Sequence, residues 1–140
     1  MLHFRKVLTQ RVDKKNNSKG FIFPFEKLEV WQLSIDLADY ILGLLETFVP
    51  NKHLRLVGQM EAAASSVPQN IAEGKGRQYK KEFIQYLYIA EGSLFEVLTL
   101  TELFKRRKLF KVQEADNIRN RSEIIDRKLH GLMNSLRRRL

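Results

Sequence analysis

Cysteine is missing altogether from these 140 residues, which excludes a disulfide framework, a thiolate metal site and a cysteine nucleophile. Proline and glycine are scarce, three and seven residues respectively, and so few breaks favour long helices over short strands joined by turns. No run of about 18 apolar residues occurs, so no segment reads as a membrane span. Met1-Leu2-His3-Phe4, followed by Arg5 and Lys6, is basic but lacks the apolar stretch of a secretory signal. The cytoplasm is therefore the expected compartment.

What is present fits one folded domain. The apolar fraction of 44% and charged fraction of 29% are those of a globular chain, and the length suffices for a core without covalent staples. The net charge of +9 is unevenly placed. Residues 1–25 carry six Lys/Arg against one Asp; residues 26–104 carry seven against eleven Asp/Glu; residues 105–140 carry twelve against four. An acidic middle thus lies between two basic ends. Basic proteins attract polyanions, of which nucleic acids are the commonest in a cytoplasm, although charge also serves plain solubility.

Residues 1–24 hold no sustained period, and Asp13 to Gly20 is a polar run, so this stretch reads as a flexible basic arm. Residues 25–140 read as the folded domain. Its first helix carries two adjoining apolar stripes, Leu28-Trp31-Ile35-Ala38-Leu42-Leu45 and Val30-Leu33-Leu37-Ile41-Leu44-Phe48. Two stripes imply cover from two directions, and the surplus points to oligomerisation. Pro50-Asn51 ends this helix, with Asn51 suited to cap the next. The second helix runs through Leu54, Val57, Met60, Ala64, Val67 and Ile71, and Pro68 inside it predicts a kink near residues 64–66. The third, about residues 79–105, has Phe83, Leu87, Ala90, Leu94, Val97, Thr101 and Phe104 as its seam, with Gly92-Ser93 expected at a close helix contact. The fourth, about 112–136, repeats Ala115, Ile118, Ser122, Ile125, Leu129, Leu132 and Leu136. Short connections favour antiparallel neighbours, so the predicted fold is an all-α, up-down-up-down four-helix bundle with a proline-kinked second helix.

Chemistry is hard to find. His3, His53 and His130 are scattered and read as exposed or capping side chains without a metal partner on their own helix. Ser65 and Ser66 have no histidine nearby in sequence, and Gly74-Lys75-Gly76-Arg77 lacks the spacing of a phosphate loop. Carboxylates such as Glu91 and Glu96 are too ordinary on helices to single out. No catalytic residue, cofactor or metal is expected. Two basic clusters remain: Lys75, Arg77, Lys80 and Lys81 around the second turn of the bundle, and Lys105, Arg106, Arg107, Lys108 and Lys111 around the third. An antiparallel bundle would place them at opposite ends, with Arg137, Arg138, Arg139 and the arm joining the first. Either cluster suits phosphate contact, and either would also occur at a solvated helix end, where Lys and Arg complement the helix dipole.

Three segments carry a resemblance: Phe25 to Gln32; Ser66-Val67-Pro68-Gln69-Asn70-Ile71-Ala72-Glu73-Gly74-Lys75-Gly76-Arg77; and Glu82 to Leu87 with Ala90-Glu91-Gly92-Ser93. Over about residues 23–138 the chain resembles the intervening-sequence proteins, small bacterial bundles first met as reading frames inside large-subunit ribosomal RNA genes. The resemblance implies a ring-like homopentamer with a central channel. It also implies kinship of fold with the accessory variability determinant of diversity-generating retroelements, a basic pentamer that partners a reverse transcriptase and binds nucleic acid. It carries over structural roles only: Pro68 as the kink, Asn70 as a buried hydrogen-bonding residue, Gly74 and Gly76 as the turn. The segment before Phe21 departs from the family pattern. The expected function is that of a non-enzymatic, homo-oligomeric accessory protein that binds RNA or an RNA-containing complex, with a protein partner also conceivable. The alternative is a protein-binding scaffold with no nucleic-acid role.

Overall fold

The computed structural model describes residues 20–140. The basic arm expected over residues 1–24 lies almost wholly outside the described residues. The described residues open on an aromatic series: Phe21 meets Phe23 edge-on at 5.0 Å, Phe23 stacks on Phe25 at 6.0 Å, and Phe25 meets Trp31 at 5.1 Å. Proline suits the start of a helical turn because its missing N–H would have had no partner there. Pro24–Lys27 accordingly forms a 3-10 turn.

Four helices follow, α1 (Glu29–Leu45), α2 (Leu54–Lys75), α3 (Lys80–Arg106) and α4 (Val112–Arg138), and there is no strand among the described residues. At 17, 22, 27 and 27 residues they would be about 26 to 40 Å long. The first is shorter than its apolar stripes predict. It stops at Leu45, and Phe48 turns inward to meet Phe104 at 5.7 Å and Phe110 at 5.8 Å. Each helix packs against its chain neighbours and α1 against α4, whereas the backbones of α1 and α3, like those of α2 and α4, stay more than 8 Å apart. The four therefore close a ring around one core. Along α3 and α4 the facing pairs are Lys80 with Arg139, Tyr88 with Arg137 and Glu91 with His130. None of the helices described is long and apolar enough to cross a membrane.

Both stripes of α1 contribute to the core: Val30, Leu37 and Ile41 from the second, with Ile41 fully buried, and Ala38 and Leu45 from the first. Trp31, Leu33, Leu42, Leu44 and Phe48 are half-buried, and Ile35, on the first stripe, is 38% exposed. The outward apolar surplus on α1 is therefore centred on Ile35. In α2, Ala63, Ala64, Val67 and Pro68 are buried within a helix continuous from Leu54 to Lys75, and α2 makes its most extensive contact with α3. Lacking an N–H, Pro68 cannot supply the bond that the Ala64 carbonyl would ordinarily accept from position 68.

Several local expectations are corrected. Asn51 does not cap α2. It sits in the left-handed region (φ 65°), as does His53 (φ 56°), the residue at the N-cap, which makes no side-chain capping bond. Asparagine tolerates that region better than most residues, so Asn51 serves the turn instead. Gly74 serves close approach rather than a turn. A Cβ there would lie 2.7 Å from Tyr86 Cβ and 2.8 Å from Phe83 Cδ2, which only glycine avoids. Gly92 is exposed with nothing within 4 Å of its missing Cβ, so it is no contact point inside the protomer. Its neighbour Ser93 is: the Ser66 and Ser93 hydroxyls lie 2.8 Å apart across the α2–α3 seam. Asn70 is half-buried and donates to the Ser66 carbonyl (2.8 Å) and hydroxyl (2.9 Å), in keeping with its expected hydrogen-bonding role.

Candidate nucleic-acid interface and a cluster at the α3–α4 seam

The α2–α3 turn and the C-terminus of α4 meet at one end of the bundle. Lys80 Nζ donates to the Arg139 carbonyl at 2.8 Å, which joins Arg137, Arg138 and Arg139 to Lys75, Arg77, Lys80 and Lys81. All seven are exposed. None of them has a carboxylate of the described residues within ion-pair distance. Aromatic rings orient several. The Lys75 ammonium lies 5.9 Å from the Phe83 ring centre, Arg77 lies 4.7 Å over Tyr86, and Arg137 lies 5.5 Å over Tyr88. Arg77 and Arg137 also donate to the hydroxyls of those tyrosines. Arg139 is tied to Ser135, its guanidinium donating to the carbonyl at 3.3 Å and to Oγ at 2.6 Å. Tyr79, 61% exposed, stands at the α3 N-cap among them. Arg137 also donates to Asn134 Oδ1 at 3.1 Å, so ring and hydrogen-bond partners together hold these guanidinium groups at the exposed end of the bundle.

The other cluster differs in kind. Lys105 and Arg106 both pair with Glu102, at 3.6 and 3.0 Å. The Arg106 hydrogen bond, then Lys105, hold the Glu102 carboxyl below its ordinary range. Arg107 occupies the C-cap of α3, and Lys108 takes the left-handed position (φ 60°) of a Schellman turn, in which the Leu109 N–H reaches the Phe104 carbonyl at 2.8 Å. Lys111 starts α4, its backbone N–H donating to Glu114 at 2.8 Å. Asp116 and Arg119 face Glu102, Lys105 and Arg106 across a shallow groove, so both signs of charge meet there.

Sequence reading missed one constellation. Glu91 on α3 and Asp126 and His130 on α4 bring three donor atoms within 4.8 Å of one another. His130 Nε2 hydrogen-bonds Glu91 Oε2 and lies 3.8 Å from Asp126 Oδ1. Burial, then the nearby Glu91 carboxylate, push the Asp126 carboxyl up to about 6, partly opposed by His130. Contrary to the expectation that His130 has no metal partner on its own helix, Asp126 lies four residues before it, on the same helical face. That spacing was visible in the sequence; the partnership with Glu91, 39 residues away, was not.

The architecture defines a small basic four-helix bundle. Residues 26–131 match the model of the 23S rRNA-intervening sequence protein family, and the chain belongs to that family. Among solved structures, it is similar to a protein of unknown function from the S23 ribosomal protein family of Bacteroides thetaiotaomicron. That likeness has a TM-score of 0.70 at 26% identity and covers 74% of this chain and 97% of that one. No curated protein matches the chain.

Proposed function

We propose that this protein is a non-enzymatic, homo-oligomeric accessory protein of the cytoplasm that binds RNA, or an RNA-containing complex, through the end of the bundle bearing Lys75, Arg77, Lys80, Lys81 and Arg137–Arg139. We take the bundle to be up-down-up-down with antiparallel neighbours, α2 bending at Pro68. The observation that carries the functional reading is the charge at that end: seven cations without a carboxylate partner among the described residues, three of them resting on aromatic rings. Phosphates are the natural counter-charge, and exposed tyrosines give unpaired bases something to stack on. The family's name, with its link to 23S rRNA, agrees.

Self-assembly is supported by apolar surface that the protomer leaves open. On α3, Tyr88, Phe95 and Leu103 are each 45–50% exposed and share one face with Gly92 and Thr99. On α1, Ile35 is exposed beside half-buried Trp31. Because α1 and α3 sit at diagonal corners, a contact between α1 of one copy and α3 of the next is head-to-tail, and repeating it closes a ring. The open backbone at Gly92 lets a neighbouring helix approach closely. Five copies, as the resemblance implies, would give five times 16.5 kDa.

That same apolar face supports the second reading, a scaffold that binds another protein. Gel shift with structured RNA across a salt series separates the two. Neutralising about five phosphates gives a log–log slope of roughly −3.5 to −4.5. Absence of any shift at low salt removes the RNA reading and favours the scaffold. Light scattering on the same samples reads the mass, and a monomer would exclude assembly.

A further inference from the structure

We propose that Glu91, Asp126 and His130 form a binding site for one first-row transition dication, Zn²⁺ or Co²⁺ in character, at the α3–α4 seam. Asp126 and His130 lie one helical turn apart on α4, and Glu91 reaches them from α3. His130 Nε2 is the common point, bonded to Glu91 Oε2 and 3.8 Å from Asp126 Oδ1. Asp126 Oδ1 is shut off from solvent and has no hydrogen-bond partner, since 3.8 Å is too long for one. Glu91 is itself only 12% exposed.

A protonated imidazole cannot resolve this arrangement by itself. Nε2 carries one proton, which satisfies Glu91; without a cation, Asp126 is relieved only by taking up a proton of its own and sharing it with Glu91. A buried carboxylate oxygen without a donor or cation is costly. A dication near the same point neutralises both carboxylates and takes the Nε2 lone pair as its third bond. One imidazole with two carboxylates suits Zn²⁺, Co²⁺ or a similar borderline ion better than Mg²⁺ or Ca²⁺, and water completes the coordination. Ligand atoms around one ion stand roughly 3 to 3.5 Å apart, given bonds of about 2.0–2.2 Å. The present separations of up to 4.8 Å therefore call for a small inward shift, which the half-exposed His130 ring can make. The bound ion would pin α4 to α3 about two turns before Arg137, steadying the helix end that carries the three arginines.

The test uses the full chain stripped with chelator and titrated calorimetrically with ZnCl₂, with Co²⁺ absorption as the coordination readout and MgCl₂ as the control. The expected result is one Zn²⁺ per chain, a rise in thermal midpoint and no comparable response to Mg²⁺. His130→Ala and Asp126→Asn should each weaken binding by about tenfold or more. The double variant His3→Ala/His53→Ala should bind like the parent. Circular dichroism confirms that every variant is folded; the His53, Asp126 and His130 side chains are partly or wholly at the surface, and Asp126→Asn keeps the shape of the side chain. Absence of Zn²⁺ binding overturns the proposal. So does binding that survives His130→Ala, or that disappears with His3 and His53.

Discussion

The two ends of the bundle are built from the same residue types and do opposite things with them. At the α3–α4 turn, Phe48, Phe104 and Phe110 close the core with ring centres 5.0–5.8 Å apart, and two of the cations above them fold back onto Glu102. At the α2–α3 turn arginines lie on tyrosines and Lys75 on Phe83, and no carboxylate of the described residues is within ion-pair distance of them. Aromatic rings at one end hold the protein together; at the other they hold charge outward. A count of Lys and Arg cannot tell these apart, because the difference lies in the acid and the ring that each cation meets.

The largest way to break this contrast is Phe104→Ala. Phe104 is fully buried and touches both partner rings, so its loss should cost about 3–5 kcal/mol, read from chemical denaturation. Next comes nucleic-acid affinity. Replacing Lys75, Arg77, Lys80 and Lys81 with Ala should weaken RNA binding across unrelated sequences and flatten the salt slope by roughly 3, assuming each cation meets one phosphate. The matching replacement of Lys105, Arg106, Arg107 and Lys108 should change the slope by less, because Glu102 already answers two of them. Equal losses at both ends would erase the distinction drawn here.

A smaller effect sharpens it. Gly74→Ala forces a Cβ against Tyr86 and Phe83 and should cost about 1–3 kcal/mol, displacing the ring on which Arg77 rests. Gly58→Ala meets nothing within 4 Å and should stabilise the helix by about 0.5–1 kcal/mol.

The smallest effect belongs to Asp126. Its folded pKa of about 6 lies above the ordinary carboxylate value, so the folded chain holds this proton more tightly than the unfolded one. The group therefore favours folding at low pH, and that contribution is lost as pH rises through 6. In chelator-treated protein, Asp126→Asn should raise stability above pH 6 by less than about 1 kcal/mol, the side chain being one-third exposed, and flatten stability between pH 4 and 7. A slope that survives the substitution places the titration elsewhere.

Sequence periodicity made α2, α3 and α4 legible almost to their ends, since a buried face repeats every three or four residues and Gly and Pro punctuate what lies between. The meeting of Lys75–Lys81 with Arg137–Arg139 was also legible, because it needs only helix order and length. What stayed hidden depends on pairs distant in sequence. Gly74 looked like a turn residue until Tyr86 was placed against it. Asn51 looked like a cap, but cap and turn chemistry favour the same residue types. Glu102 is the opposite case: Lys105 and Arg106 lie three and four residues further on, a spacing that helix geometry alone makes legible.

The Ser66–Ser93 contact has a consequence for how this sequence can change. Two hydroxyls facing each other at mid-length act as an index mark between α2 and α3, with Asn70 fixing the orientation of one of them. Sliding either helix by one turn, about 5.4 Å, would part the two hydroxyls, so the pair disfavours neighbouring alignments that an all-alanine seam would accept. The two positions should then drift as a unit. Losing the Ser66 hydroxyl takes from Ser93 its partner across the seam, whereas exchanging both for alanine leaves a seam that no longer knows its own alignment.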